Sequence, residues 1–142
     1  MSQPPLIVHT ESSRVWGGQE IRVLTELAAM RARGFRVALI AAEETPIATR
    51  ARSAGIPVHT LPTFSKFHPG VWLRLGQLIR RLKPAVLNTH SSADSWTAAP
   101  LARALGTPLV LRTRHMLTAV SSTVSYRFPT KSWPAAAPSP RG

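Results

Sequence analysis

The sequence predicts an α/β fold: a single Rossmann-like domain with a parallel sheet of about five strands flanked by helices, plus a disordered C-terminal tail. Three observations predict it. Short apolar runs of strand length alternate with longer segments of helical periodicity at the spacing a βαβ unit needs, and right-handed crossovers then put the strands in one parallel sheet. The chain has 142 residues, 44% of them hydrophobic, which suits one core and excludes a two-domain enzyme of ordinary proportions. The alternation stops after Arg127, where residues 128–142 hold four prolines and no periodicity. The expected division is a domain over 1–128 and a Pro/Ala-rich tail over 129–142.

Each element has its own signal. Leu6 to Thr10 is a short apolar run behind Pro4-Pro5, as a buried strand is, and a polar loop from Glu11 to Gly17 follows it. From Gly18 onward Ile21, Leu24, Leu27 and Ala28 recur at helical spacing, and Gly34 stands where a left-handed closing residue belongs. Phe35 to Ala42 reads as a second strand. Pro46 to Ala54 reads as a short helix, with Pro near its first turn and Gly55 after its end. Ile56 to Leu61 is a third strand that Pro57 pushes toward the sheet edge. Val71, Leu75, Leu78, Ile79 and Leu82 make one apolar helical stripe, ended by Pro84. Ala85 to Thr89 is a fourth strand with His90 at its end. Ser91-x-x-Asp94 then has the spacing of a helix-opening capping box, and that helix runs to Leu105 with Gly106 closing it. Thr107 to Thr113 is a fifth strand. The expected order is 3-2-1-4-5, so ligands belong in the crevice outside the carboxyl ends of strands one and four. Glu11 to Gly18 and His90 to Ser95 line that crevice.

Charge narrows the function classes. Eighteen Lys and Arg against six Asp and Glu give a net charge of +12, which invites a nucleic-acid partner. The densest basic run, Arg80-Arg81-Leu82-Lys83, closes a helix, where cations complement the helix dipole. Aromatic residues, at 6%, are too sparse for base-stacking platforms. No nucleic-acid partner is therefore expected; an anionic substrate or peripheral contact with an acidic membrane surface fits the charge. The longest apolar run, Val37 to Ala42, is far short of the roughly 20 residues of a membrane-spanning helix. No Lys or Arg precedes the first apolar residues, so no secretory signal is read, and the cytoplasm is the expected compartment. With no cysteine there is no disulfide, thiolate nucleophile or Cys-ligated metal.

Three constellations carry candidate chemistry. Trp16-Gly17-Gly18-Gln19-Glu20 opens the first helix, where glycines let backbone amides approach an anion and the helix end favours negative charge; the same glycines also serve a tight turn. The G-x-G-x-x-G dinucleotide fingerprint is absent, so Glu43 and Glu44 are not read as ribose-binding acids and no cofactor is expected. Asn88-Thr-His90-Ser-Ser-Ala-Asp94 is the second. Capping accounts for Ser91 and Asp94, whereas His90 at the strand end is placed to donate to a sugar hydroxyl or phosphate from an open crevice, with no share in stability. Third, alternation puts Arg112 and Arg114 on one face beside His115, able to meet an anionic group or to form a solvated edge. His9, His59 and His68 lack metal spacing and are read as core or surface residues.

Strand one with Glu11-Ser-Ser-Arg-Val-Trp-Gly-Gly-Gln-Glu20, Met30-Arg-Ala-Arg-Gly34, Ala54-Gly-Ile-Pro-Val58, Lys83-Pro-Ala-Val-Leu-Asn-Thr-His90 and Ala102-Arg-Ala-Leu-Gly-Thr-Pro-Leu-Val110 together resemble the N-terminal, acceptor-side domain of glycosyltransferase family 4, over residues 5 to about 127. The resemblance implies the GT-B architecture of two Rossmann-like domains facing a cleft. It also implies glycosyl transfer from a nucleotide-sugar donor to a glycan or lipid-linked acceptor, as in cell-envelope polysaccharide biosynthesis. Gly17 and Gly18 would lie against the donor diphosphate and His90 would touch the transferred sugar as the catalytic residue. Arg14, Ser91, Asp94, Arg112, Arg114 and His115 would meet the acceptor. The family's donor-binding domain, with its two-glutamate motif, has no counterpart here. The expectation is a truncated enzyme, inactive alone or completed by a separate donor-domain chain. A non-catalytic glycan- or phosphate-binding module is the alternative, and a basic nucleic-acid-binding protein is a further, less favoured one.

Overall fold

The computed structural model describes residues 4–114 and 131–134. In chain order the elements are β1 (Leu6–Glu11), α1 (Gly18–Ala32), β2 (Arg36–Ala42), α2 (Pro46–Ser53), β3 (Val58–Leu61), α3 (Pro69–Leu82), β4 (Val86–Thr89), α4 (Ser92–Ala104), β5 (Leu109–Arg114) and β6 (Lys131–Pro134). The strands form one sheet in the order β3-β2-β1-β4-β5-β6, parallel at every pairing. The expected order 3-2-1-4-5 is therefore present, and β3, the strand carrying the Pro57 signal, is an edge.

The unbroken apolar character of β2 follows from helices covering both sheet faces. Val37, Leu39 and Ala41 pack with Val23 and Leu27 of α1 and Ile47, Ala48 and Ala51 of α2. Ala38, Ile40 and Ala42 turn to the other face. There they join Val8, Leu87 and Val110 with Val71, Leu75, Leu78 and Ile79 of α3 and Ala98, Ala99 and Ala102 of α4. Fully burying each Leu, Ile or Val contributes about 1.5–3 kcal/mol, so these two layers fix the register that aligns the ends of β1 and β4. Gly34 and Gly55 close α1 and α2 at φ of 90° and 76°, a region that a side chain would strain.

The sequence reading is corrected at the sheet's far edge. Residues beyond Arg127 were expected to add no strand, yet Lys131–Pro134 pairs in parallel with β5, from Leu111↔Lys131 to Arg114↔Pro134. The outer edge of β5 presents backbone donors and acceptors that need partners. A segment too short to show periodicity can satisfy them, and proline is tolerated on an edge strand, where its missing N–H disrupts no inner ladder. The rest of the expected tail, residues 135–142, and residues 115–130 lie outside the described residues.

Candidate functional site

Parallel register places Val8 beside Leu87, His9 beside Asn88 and Thr10 beside Thr89. Side chains alternate along a strand, so His90, two residues past Asn88, comes to the side of the sheet that carries His9. The two imidazoles meet there: His9 Nδ1 and His90 Nε2 are 2.8 Å apart, with ring centroids 4.9 Å apart and planes inclined by 23°. Both are buried, at 0% and 4% exposure. This corrects one expectation, since His90 is packed rather than standing in an open crevice; His9, expected as a core or surface residue, is in the core and is its partner. The sequence signal was available: once β1 and β4 are neighbours, a histidine near the end of each is a candidate pair.

Asp94 organises the backbone around that pair. Its Oδ2 accepts from Thr10 Oγ1 at 2.5 Å and from the His90 amide at 2.9 Å. Its Oδ1 accepts from the Ser91 amide at 3.0 Å and from the Ser91 hydroxyl. One carboxylate thus ties β1, the end of β4 and the first turn of α4 together. The capping reading of Ser91 and Asp94 is the one the geometry satisfies. Ser91 also shares a hydrogen bond with Ser12, joining the β1–α1 and β4–α4 connections. Burial pushes the Asp94 carboxyl upward in pKa, against its hydrogen bonds, which favour the ionised form.

The start of α1 uses the same device. Gly17 is its N-cap in extended conformation, and its amide donates to Glu20 Oε2 at 2.8 Å. Glycine carries no capping oxygen, so the Gly17-x-x-Glu20 spacing was not read as a capping box, although the acid three residues on was its signal. A Cβ on Gly18 would meet nothing within 4 Å, so the side-chain position there is open. Glu11, at the end of β1, closes the crevice floor: it accepts from the Ser13 amide at 3.0 Å and from Gln19 Nε2 at 2.7 Å. Burial, with the nearby Asp94 carboxylate adding to it, raises the Glu11 pKa from 4.5 to about 7.

The remaining candidates sit around this centre. Arg14 reaches the carbonyls of Glu43, at 3.4 Å, and Pro62, at 2.7 Å, clasping the chain just beyond β2 and β3. Arg112 is buried at 6% exposure and donates to Ser92 Oγ at 3.2 Å, so it joins the start of α4. Arg114 is placed by its backbone at the end of β5, and His115 lies outside the described residues. His68 caps α3, accepting from the Val71 amide at 3.3 Å. His59 lies on edge strand β3, its pKa lowered first by burial and then by Arg81. Among the described residues no group of three or more His, Asp or Glu side chains is placed to hold a metal ion. None of their helices is long and apolar enough to cross a membrane. Past the carboxyl ends of β1 and β4 the arrangement offers a helix start with an open side-chain position at Gly18, a buried imidazole pair, and a protonatable carboxyl at Glu11.

Comparison with known proteins adds three findings. The family model described as Glycosyltransferase Family 4 matches residues 16–139, running past the last of the quoted motifs. No curated protein matches the sequence. Among solved structures the chain is similar to MurG from Acinetobacter baumannii, with a TM-score of 0.76 and 14% identity over 98% of this chain and 43% of that one. It is also similar to a glycosyltransferase from Rickettsia africae, with a TM-score of 0.68 and 18% identity over 85% of this chain and 32% of that one. Anabaena HepE, solved in complex with UDP and glucose, has a TM-score of 0.62 and 14% identity over 78% of this chain and 30% of that one. These likenesses establish the fold. The chain spans less than half the length of each of these proteins.

Proposed function

We propose that this chain, which belongs to glycosyltransferase family 4 as its N-terminal Rossmann-like domain, forms the acceptor-side wall of an enzyme that moves a glycosyl group from a nucleotide sugar to a glycan or lipid-linked acceptor. The observation that supports this best is that the β1–α1 connection and the β4–α4 connection leave the carboxyl ends of neighbouring strands and meet at Ser12 and Ser91, the point where doubly wound sheets bind ligands. The α1 N-terminus supplies a favourable dipole, and the open backbone at Gly18 allows close approach of the donor diphosphate, with Gly17 held in place by Glu20. His90 touches the transferred sugar as the catalytic residue. Ser91, Arg14 and Arg112 meet the acceptor. Asp94, fully buried, acts there by holding Ser91 and His90 in position. The opposite wall, which grips the nucleotide, is a second Rossmann-like domain in a longer chain or a separate one. The working place is the cytoplasm, peripheral to the inner membrane face, where a cell-envelope acceptor and an anionic surface meet a chain of charge +12.

Amide NMR with UDP- and GDP-sugars tests this reading. Millimolar donor is expected to perturb Gly18, Gln19 and His90 together. Perturbations confined to any other surface would overturn it.

A further inference from the structure

Away from the crevice, the sheet ends at β3. The Leu39 amide donates to the Pro57 carbonyl at 2.9 Å and the Glu43 amide to the Leu61 carbonyl at 2.8 Å. A parallel ladder repeats every two residues, so the backbones of Pro57, His59 and Leu61 face β2 while those of Val58 and Thr60 face outward. Among the described residues nothing pairs with these outward N–H and C=O groups.

A cavity of about 360 Å³ runs along this row. Val58, His59 and Thr60 all line it, and since side chains alternate between faces, three consecutive residues share a cavity only at the edge of their strand. Its other wall is α3. Arg74, Gln77 and Arg81, at i, i+3 and i+7, share the flank of that helix beside its buried stripe. Both arginines are exposed, and among the described residues neither has an ion-pair partner. Burial first and Arg81 second disfavour the charged form of His59, so the groove is short of negative charge. None of the chain's six acids lies on β3 or α3.

We propose that the β3 edge is a docking groove for an extended acidic peptide segment of a partner protein, which adds as a further strand, pairs its backbone with Val58 and Thr60 and sets its carboxylates against Arg74 and Arg81. The backbone row selects a peptide over a bare anion. An inorganic anion would satisfy the N–H groups and be repelled by the carbonyls between them, whereas an added strand satisfies both. The spacing agrees with this. Seven helical residues set the two arginines about 10 Å apart along α3, and side chains on one face of a strand recur about every 7 Å, so successive same-face carboxylates fall within reach of both flexible stems. Residues 115–130 and 135–142 contain no Asp or Glu and cannot supply this segment. A second copy paired edge to edge would set its arginines against these, in chains of charge +12.

The test uses the whole chain with a blocked peptide of about eight residues alternating glutamate and valine, a strand-forming length, and a lysine–valine peptide as its control. In amide hydrogen exchange the acidic peptide is expected to protect Val58 and Thr60, while His59 and Leu61, already bonded to β2, stay unchanged. With roughly nine sites in ten filled, exchange at the first pair slows roughly tenfold. Thr60→Pro removes an outward N–H and leaves the β2 ladder whole, a place where proline is tolerated, and is expected to weaken peptide binding. Arg74→Glu with Arg81→Glu is expected to lose the acidic peptide and to gain the lysine one. Should either variant fail to fold, the exchange pattern of the unsubstituted chain with the two peptides decides. Equal binding of both peptides, no binding of the acidic one, or changes on α3 without protection of Val58 and Thr60 overturns the proposal. Protection of these two amides in the chain alone, rising with its concentration, gives the edge to a second copy and overturns it as well.

Discussion

At the scale of single residues, the crevice stores its polarity in two buried carboxyls whose pKa values are both raised. Glu11 has the clearer consequence. Between pH 4.5 and about 7 the folded chain keeps a proton on Glu11 that the unfolded chain has released, so the native state binds more protons. Stability then falls as pH rises through this window, the contribution being complete below 4.5 and lost above about 7. At about 1.4 kcal/mol per pH unit the loss is on the order of 3 kcal/mol. Asp94 acts in the same direction and His59, with its lowered pKa, in the opposite one. The difference between the parent and Glu11→Gln isolates Glu11. Urea midpoints at pH 5, 6, 7 and 8 are expected to show a flatter slope in the variant; equal slopes would remove Glu11 as the cause. Asp94→Ala leaves the Thr10 hydroxyl and the His90 and Ser91 amides without their acceptor. Each such buried group costs about 1–3 kcal/mol, so a loss of about 3 kcal/mol or more is expected. His90→Ala, removing a ring that is packed after all, is expected to cost about 1–3 kcal/mol. Reversal of that ranking in denaturant unfolding would mean that the histidine pair, and not Asp94, holds the strand ends together.

Elements were legible from the sequence where packing alone decides them. The α3 stripe of Val71, Leu75, Leu78 and Ile79 is buried as its periodicity requires, and Leu75→Ala is expected to cost about 2–5 kcal/mol. The end of that helix was read from Pro84, but the chain actually turns at Lys83, at φ 49°, where a lysine gives no hint of a left-handed cap. The α4 cap was legible because serine and aspartate advertise it; the α1 cap was not, because glycine hides it. The His9 contact depends on the register between β1 and β4, which no local pattern states, and β6 depends on an edge needing partners. Gly18 separates fold from function at the element scale. Alanine there meets nothing within 4 Å and is the better helix former, by up to about 1 kcal/mol. Gly18→Ala is expected to melt at or slightly above the parent temperature while weakening perturbation by nucleotide sugars. A melting temperature several degrees lower would show that the glycine serves the turn, as the plain structural reading holds.

For the whole molecule, eighteen cations against six acids on one small domain make self-repulsion a standing cost of the compact state. Screening shortens the reach of these charges from roughly 30 Å at 0.01 M salt to about 8 Å at 0.15 M, so the melting temperature is expected to rise over that range. Under the proposed function the same charge would attract a nucleotide sugar without holding it, because the chain would present one wall of a cleft. Its donor contacts would then reduce to the backbone at the α1 start and one imidazole. Charge-assisted hydrogen bonds contribute about 1.5–3 kcal/mol each, whereas association costs roughly 4–15 kcal/mol. With so few contacts the surplus is small, and since 1 mM corresponds to only about 4 kcal/mol, a dissociation constant in the millimolar range or weaker is expected. Transfer also needs a facing wall to exclude water around the diphosphate. Calorimetry of the chain with UDP- and GDP-sugars, followed by product detection on a lipid-linked acceptor, measures both consequences. Micromolar binding or repeated turnover by these 142 residues would mean that a single Rossmann-like wall suffices, and the two-walled reading would fall.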